Sequence, residues 1–219
     1  MHAMVVYAKQ IRKLHEIGQS VWLDNISRSM ISSGALHKSI EAGVTGLTSN
    51  PTIFHKAITT GVDYDDDLTD LARAGRNKDD IFEALAVQDI IAAADALRTV
   101  YDQTKGVDGY VSLEVNPHLA NDRDGTIIAV RRLWAAVGRP NVLIKVPGTM
   151  QGISAIEVLI GEGININITL IFSLEAYSKI RIAYIRGLEN FRNQGGDLST
   201  VFSVASFFIS RTDTEIDLL

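Results

Sequence analysis

Six short runs rich in Val, Ile, Leu and Phe recur along the chain, at residues 21–23, 44–48, 110–115, 142–146, 166–172 and 201–208. Each has the length of a strand and is too short for a buried helix. Between them lie stretches whose apolar residues recur at helical spacing, at 29–41, 79–102, 123–137, 152–159 and 174–191. Alternation of this kind calls for a parallel sheet, because parallel neighbours need a long crossover that packs back onto the sheet. An α/β fold follows, either a doubly wound open sheet or a (β/α) barrel. A dinucleotide-binding sheet needs a glycine fingerprint after its first strand. None is present, no phosphate-cradling G-x-x-x-x-G-K-[ST] occurs, and Gly161-Glu162-Gly163 precedes a strand and reads as a turn. The barrel reading gains by that absence.

Two segments depart from simple alternation. Residues 52–109 separate the second and third strands, and their length and pattern predict a helical insertion of more than one helix. The acidic run Asp63-Tyr64-Asp65-Asp66-Asp67 within it lacks the glycine and distal glutamate of a calcium loop, and reads as a solvated helix start whose carboxylates favour the dipole. An opening helix over about 7–17, within an N-terminal segment 1–20, precedes the first strand and is expected to close the floor of a barrel. The whole of 1–219 reads as one domain.

Charge and cysteine content narrow the partners. A net charge of −5, with no dense window of Lys and Arg, argues against a nucleic-acid binder. No stretch approaches the roughly 20 apolar residues that span a bilayer, and the first 20 residues lack the apolar core of a secretion signal. With no cysteine at all, thiol nucleophiles and thiolate metal sites are excluded. The expectation is a cytoplasmic protein that touches neither membrane nor nucleic acid.

Polar residues cluster at the carboxyl ends of the expected strands: Asp24 on the first, Thr48, Ser49 and Asn50 on the second, Glu114 on the third. Lys145 is late in the fourth, Asn167 and Thr169 lie on the fifth, and Ser206 and Arg211 follow on the sixth. That end of a (β/α) barrel carries the active site. Residues two apart share a side of a strand, so Asn167 pairs in direction with Thr169, and Ser112 with Glu114. Lys145 is the sharpest of these, one ammonium inside the apolar run Val142-Leu143-Ile144-Lys145-Val146. A lysine moved out of water tends to lose its proton, and the neutral amine attacks carbonyl carbon. An ordinary lysine is neutral in only one molecule in about 2,500 at pH 7, so desolvation multiplies the reactive fraction.

Plainer roles remain open for most of them. Asp24 also fits a helix N-cap before residues 26–30, and Thr48-Ser49-Asn50-Pro51 fits a strand-to-helix cap with proline at the first helical position. Glu114 also fits a partner of a surface arginine, and Arg211 an exposed loop charge. The five histidines show no paired spacing, so no metal is expected, and no nucleophile elbow supports serine catalysis.

These residues together resemble the transaldolase family, Schiff-base transferases of the pentose phosphate pathway, in its longer bacterial form. The resemblance is carried by Val21-Trp22-Leu23-Asp24-Asn25, Gly46-Leu47-Thr48-Ser49-Asn50-Pro51-Thr52, Val111-Ser112-Leu113-Glu114-Val115, Leu143-Ile144-Lys145-Val146-Pro147, Asn167-Ile168-Thr169-Leu170-Ile171-Phe172-Ser173 and Ser206-Phe207-Phe208-Ile209-Ser210-Arg211. It implies a (β/α)8 TIM barrel of the class I aldolase type, sugar phosphates as substrates and no cofactor. Lys145 would form the iminium with a ketose phosphate, and Asp24 would exchange a proton with the substrate hydroxyl. Glu114 and Thr169 would hold the water of imine formation and hydrolysis. Thr48, Asn50, Asn167 and Ser206 would bind the hydroxyls of the three-carbon unit, and Arg211 the phosphate. Such an amine is expected to stand some distance from both carboxylates, since a close one favours its charged form.

Only six strand and helix units are visible where the barrel needs eight, in typically about 250 residues. The expectation is therefore an amino-terminal portion of a longer barrel. Such a piece would be poorly stable alone and held by self-association or by its missing remainder.

Overall fold

Every one of the six apolar runs forms a strand in the computed structural model, which describes residues 10–218. Residues 10–16 are helical (α1), and residues 7–9 of the expected opening helix lie outside the described residues. The rest of the chain falls into two compact units. One runs up to Leu113 and takes in Ala136–Val142, and the other comprises Glu114–Ala135 and the chain from Leu143 onward.

In the first unit, β1 (Trp22–Asp24), β2 (Gly46–Thr48) and β3 (Val111–Glu114, whose last residue belongs to the second unit) run parallel, with Asp24 opposite Thr48 and Thr48 opposite Ser112. The stretch expected as one helix over 29–41 is two, α2 (Arg28–Ser32) and α3 (Ala35–Glu41). Gly34 divides them at φ 75°, a left-handed conformation that ends one helix and that glycine adopts without steric cost. The insertion between β2 and β3 holds α4 (Pro51–Thr60), α5 (Asp65–Arg73) and α6 (Lys78–Gln103). Asp65, Asp66 and Asp67 stand in the first turn of α5, as the acidic run implied. The long α6 packs against α2, α3 and α5 through an alanine-rich face that buries Leu85, Ala86, Ile90, Ala93, Ala94 and Leu97. Small side chains let the helix axes approach, and each buried leucine contributes about 1.5–3 kcal/mol by leaving water.

In the second unit, β4 (Val142–Pro147, whose first residue belongs to the first unit), β5 (Ile166–Ile171) and β6 (Ser203–Phe207) run parallel, and every residue of β4 is buried. The helices are α7 (Arg123–Val137), α8 (Met150–Ile160), α9 (Leu174–Asn193) and α10 (Ser210–Asp217). Thr149 caps α8 by accepting from Gly152 N, and Ser173 caps α9 by accepting from Ala176 N, which starts each helix just after its strand. Gly187 sets the closeness of α8 and α9: a Cβ there would stand 2.7 Å from Ile160 Cβ. The run expected as a continuous strand over 166–172 stops at Ile171 and is broken by a bulge, with a shift of register between Ile168 and Ile171. The sixth strand is likewise shorter than 201–208. Six parallel strands alternating with helices make this an α/β protein, and no helix of the described residues is long and apolar enough to cross a membrane.

Candidate active site

Lys145 occupies the fourth position of β4 and is directly opposite Asn167 on β5, with Pro147 opposite Thr169. Paired residues of parallel strands face the same way, so Lys145, Asn167 and Thr169 share one side. That side is not the one covered by α9: a Cβ on Gly148, whose parity is opposite to Lys145, would meet Ile180 of α9 at 2.9 Å. Asn167 and Thr169 are each 1 % exposed and Lys145 is 6 % exposed, so the amine and both polar side chains are held out of bulk water. Ser206 donates its hydroxyl to Asn167 Oδ1 at 2.8 Å, which ties β6 to β5 through side chains. Four of the residues expected to act together, Lys145, Asn167, Thr169 and Ser206, are thus neighbours on two pairs of strands.

Glu114 ends β3, and its Oε2 lies 3.2 Å from Lys145 Nζ, with both side chains about nine-tenths covered. The backbone reinforces the approach, since Val115 N donates to Lys145 O at 3.2 Å. The separation expected between amine and carboxylate is therefore absent. The two are in hydrogen-bond range, where the carboxylate can exchange a proton with the amine directly or through one water. The surface-arginine role is excluded by the same contact. Arg211, near the start of α10, is exposed and lays its guanidinium over the ring of Phe208, 4.5 Å from the centroid. Phe208 is stacked in turn on Phe172, with centroids 5.1 Å apart. Stacking on a ring leaves the guanidinium edge and its N–H groups available to an oxyanion.

Asp24, Thr48 and Asn50 belong to the first unit. Asp24 is exposed at the end of β1 and does not cap a helix, because Ser27 takes that place by accepting from Met30 N at 3.2 Å. Thr48 is next to it in register, and its Oγ1 is buried without a hydrogen-bond partner among the described residues. Asn50 does cap α4, its Oδ1 accepting from Ile53 N at 2.9 Å with Pro51 in the first turn, so the cap uses the amide oxygen and not the NH2 group. Ser49 was grouped with the cap but does something else: fully buried, it donates to the Ser112 carbonyl at 2.6 Å and ties the end of β2 to β3.

Sequence reasoning missed the buried cluster around Asp89. Arg28 Nε donates to Asp89 Oδ1 at 3.0 Å, and Tyr64 donates to Asp89 Oδ2 at 2.6 Å. The available signal was one acid on the alanine-rich face of α6. Burial pushes the Asp89 carboxyl above its ordinary range, against the hydrogen bonds from Tyr64 and Arg28, and burial also pushes the Tyr64 phenol up.

The profile of the transaldolase/fructose-6-phosphate aldolase family matches residues 21–218. The chain is 50 % identical over 208 residues to a transaldolase of Thermobifida fusca (strain YX), covering 94 % of this chain and 56 % of that protein. It is 49 % identical over 206 residues to transaldolase 2 of Nostoc sp. (strain PCC 7120), covering 94 % and 54 %. With a transaldolase of Thiobacillus denitrificans the identity is 47 % over 207 residues, covering 94 % and 58 %. The chain therefore spans little more than half the length of these curated relatives. Match length and identity both place it: the chain belongs to the transaldolase/fructose-6-phosphate aldolase family.

Proposed function

We propose that this chain carries the nucleophile and proton-transfer groups of a transaldolase, which moves a dihydroxyacetone unit from a ketose phosphate such as sedoheptulose 7-phosphate or fructose 6-phosphate to an aldose phosphate. The observation that supports it most is the buried Lys145 held 3.2 Å from Glu114 and in register with Asn167. The neutral amine adds to the ketone carbon, and the carbinolamine loses water to leave an iminium, with Glu114 and Thr169 holding the departing water. Asp24 takes the proton of the substrate hydroxyl as the carbon bond breaks. The bonding pair flows into the iminium, and the aldose leaves behind an enamine. The enamine then attacks the carbonyl carbon of the acceptor aldose, Asp24 returns the proton to the new hydroxyl, and water attacks the iminium to free Lys145. Thr48, Asn50, Asn167 and Ser206 grip the hydroxyls of the three-carbon unit through this exchange, and Arg211 binds the phosphate.

The same reading makes the strands part of a (β/α)8 barrel and the protein a cytoplasmic one that needs no cofactor. It also gives β6 with its exposed Phe207, and the exposed Ile209 that precedes α10, a part in self-association or in contact with further barrel units. Acceptor dependence tests the activity. Fructose 6-phosphate cleavage that proceeds only with an added aldose phosphate is the expected result. Release of a free three-carbon ketone without acceptor marks a lyase of the same family, and no reaction at all marks a silent chain. Size measurement in solution tests association, and a stable monomer would remove that part of the proposal.

A further inference from the structure

Leu170, the last residue but one of β5, has a backbone φ of 59°, in the left-handed region that a leucine in a strand ordinarily avoids. It is also an extra residue. From Ile168, paired with Ala205, to Ile171, paired with Phe207, β5 takes three steps while β6 takes two. Strict alternation would turn Ile171 to the side of Asn167 and Thr169. Instead Ile171 is fully buried on the side of α9: a Cβ on Gly148 would meet Ile180 Cδ1 at 2.9 Å and Ile171 Cγ1 at 3.6 Å. The left-handed residue absorbs the change of direction and leaves its own side chain 41 % exposed.

The consequences fall on the residues around the amine. Opposite the bulge the ladder between β5 and β6 is interrupted at Ser206, whose hydroxyl goes to Asn167 Oδ1. On the other edge of β5, Gly148 N donates to Thr169 O at 2.8 Å, so Thr169 stays tied to the end of β4, close in sequence to Lys145. Beyond the bulge the ladder resumes, with Phe208 N donating to Ile171 O at 2.9 Å. A strand without the extra residue would keep the same inward and outward pattern and lose only the bend. Stability therefore gives no reason for the residue, whereas bulges beside active sites re-aim side chains.

We propose that Leu170 is a positioning residue for the lysine chemistry: its left-handed backbone bends β5 so that Thr169 and the Ser206–Asn167 pair are aimed at the Lys145 amine. The proposal rests on the Schiff-base reading above, and its test separates the two. Deletion of Leu170 and the substitutions Leu170→Gly and Leu170→Val are compared with the unaltered chain by thermal melting and by borohydride trapping with fructose 6-phosphate, followed by mass spectrometry. Glycine accepts the left-handed region freely and valine resists it. The expected melting order is glycine at or above leucine, with valine below by about 2–4 °C. Trapping at saturating sugar should be kept in Leu170→Gly and fall by about tenfold to a hundredfold in the deletion variant, with the half-saturating concentration little changed. A deletion variant that traps as fast as the unaltered chain overturns the proposal. So does a melting order with valine above glycine, which marks an ordinary strand residue and is readable even if the deletion variant fails to fold. No adduct in the unaltered chain overturns the Schiff-base reading and the positioning role with it, while the melting order still decides whether Leu170 holds strain.

Discussion

Among the described residues, each unit of the molecule holds a close and largely covered ion pair, and the two pairs differ in their cation. In the first unit Arg28 meets Asp89 at 3.0 Å, and in the second Lys145 meets Glu114 at 3.2 Å. Arg28 spends its remaining donors on Asp67 Oδ2, Gln88 Oε1 and the Asp63 carbonyl, its backbone N–H on Tyr64 Oη, and its face on the Tyr64 ring. A guanidinium does not give up its proton, so this cluster is a fixed charge that binds α2, α5 and α6 together. An ammonium does give it up, and its partner carboxylate is a base within reach. Under the proposed function, what separates the two pairs is the kind of cation and not the burial of charge.

The sharpest way to break that distinction is Lys145→Met. Trapping with a ketose phosphate and borohydride should fall to nothing while circular dichroism still reports a folded chain. Next in size is Glu114→Gln, which keeps the shape and a hydrogen bond but removes the base. The trapping rate should drop by about 10²–10⁴-fold, and an unchanged rate would take Glu114 out of the chemistry. Asp89→Ala should do the reverse. It strands Arg28 and Tyr64 and costs about 3–5 kcal/mol in urea denaturation, with trapping per folded molecule preserved. A loss below about 1 kcal/mol would mean that the cluster does not hold α6 in place.

Two smaller effects refine the comparison. Thr48→Val exchanges a buried, unpartnered hydroxyl for a methyl of nearly the same shape, and should raise the melting temperature by about 2–4 °C. A lower melting temperature would show that the hydroxyl has a partner. Asp89 should also leave a signature in pH. Its carboxyl is raised by burial, so the folded chain keeps a proton that the unfolded chain has already lost. That contribution is full below the ordinary aspartate range and is lost as pH rises through the raised value. Stability of the unaltered chain minus that of Asp89→Asn should therefore decline across this window, and a difference that is flat or rises would contradict the raised value.

Much of this was legible before any coordinates. Short apolar runs locate the six strands, and helical spacing locates α6, α7, α8 and α9, because both patterns lie in contiguous sequence. The helix at 123–137 matches α7 at both ends. Lys145 stands out because an ammonium in an apolar strand is costly wherever the strand goes. What was not legible depends on register and dihedral sign. The contact of Glu114 with Lys145 depends on how strand ends align, which neither local sequence states. Leu170 sits between Thr169 and Ile171, and no residue type there signals a positive φ, so the bulge is invisible. Gly34 was visible as a letter, yet the apolar spacing on both sides of it masks the break between α2 and α3. Asp89 was hidden because one acid on an alanine-rich face looks like a solvated position until Arg28 and Tyr64 arrive from elsewhere in the fold.

The most direct test of the central claim is to incubate the chain with fructose 6-phosphate and borohydride, digest it, and find the modified peptide by mass spectrometry. A reduced three-carbon adduct on Lys145, absent from the Lys145→Met variant, is the predicted result. An unmodified Lys145, or an adduct spread over surface lysines such as Lys179, would contradict it.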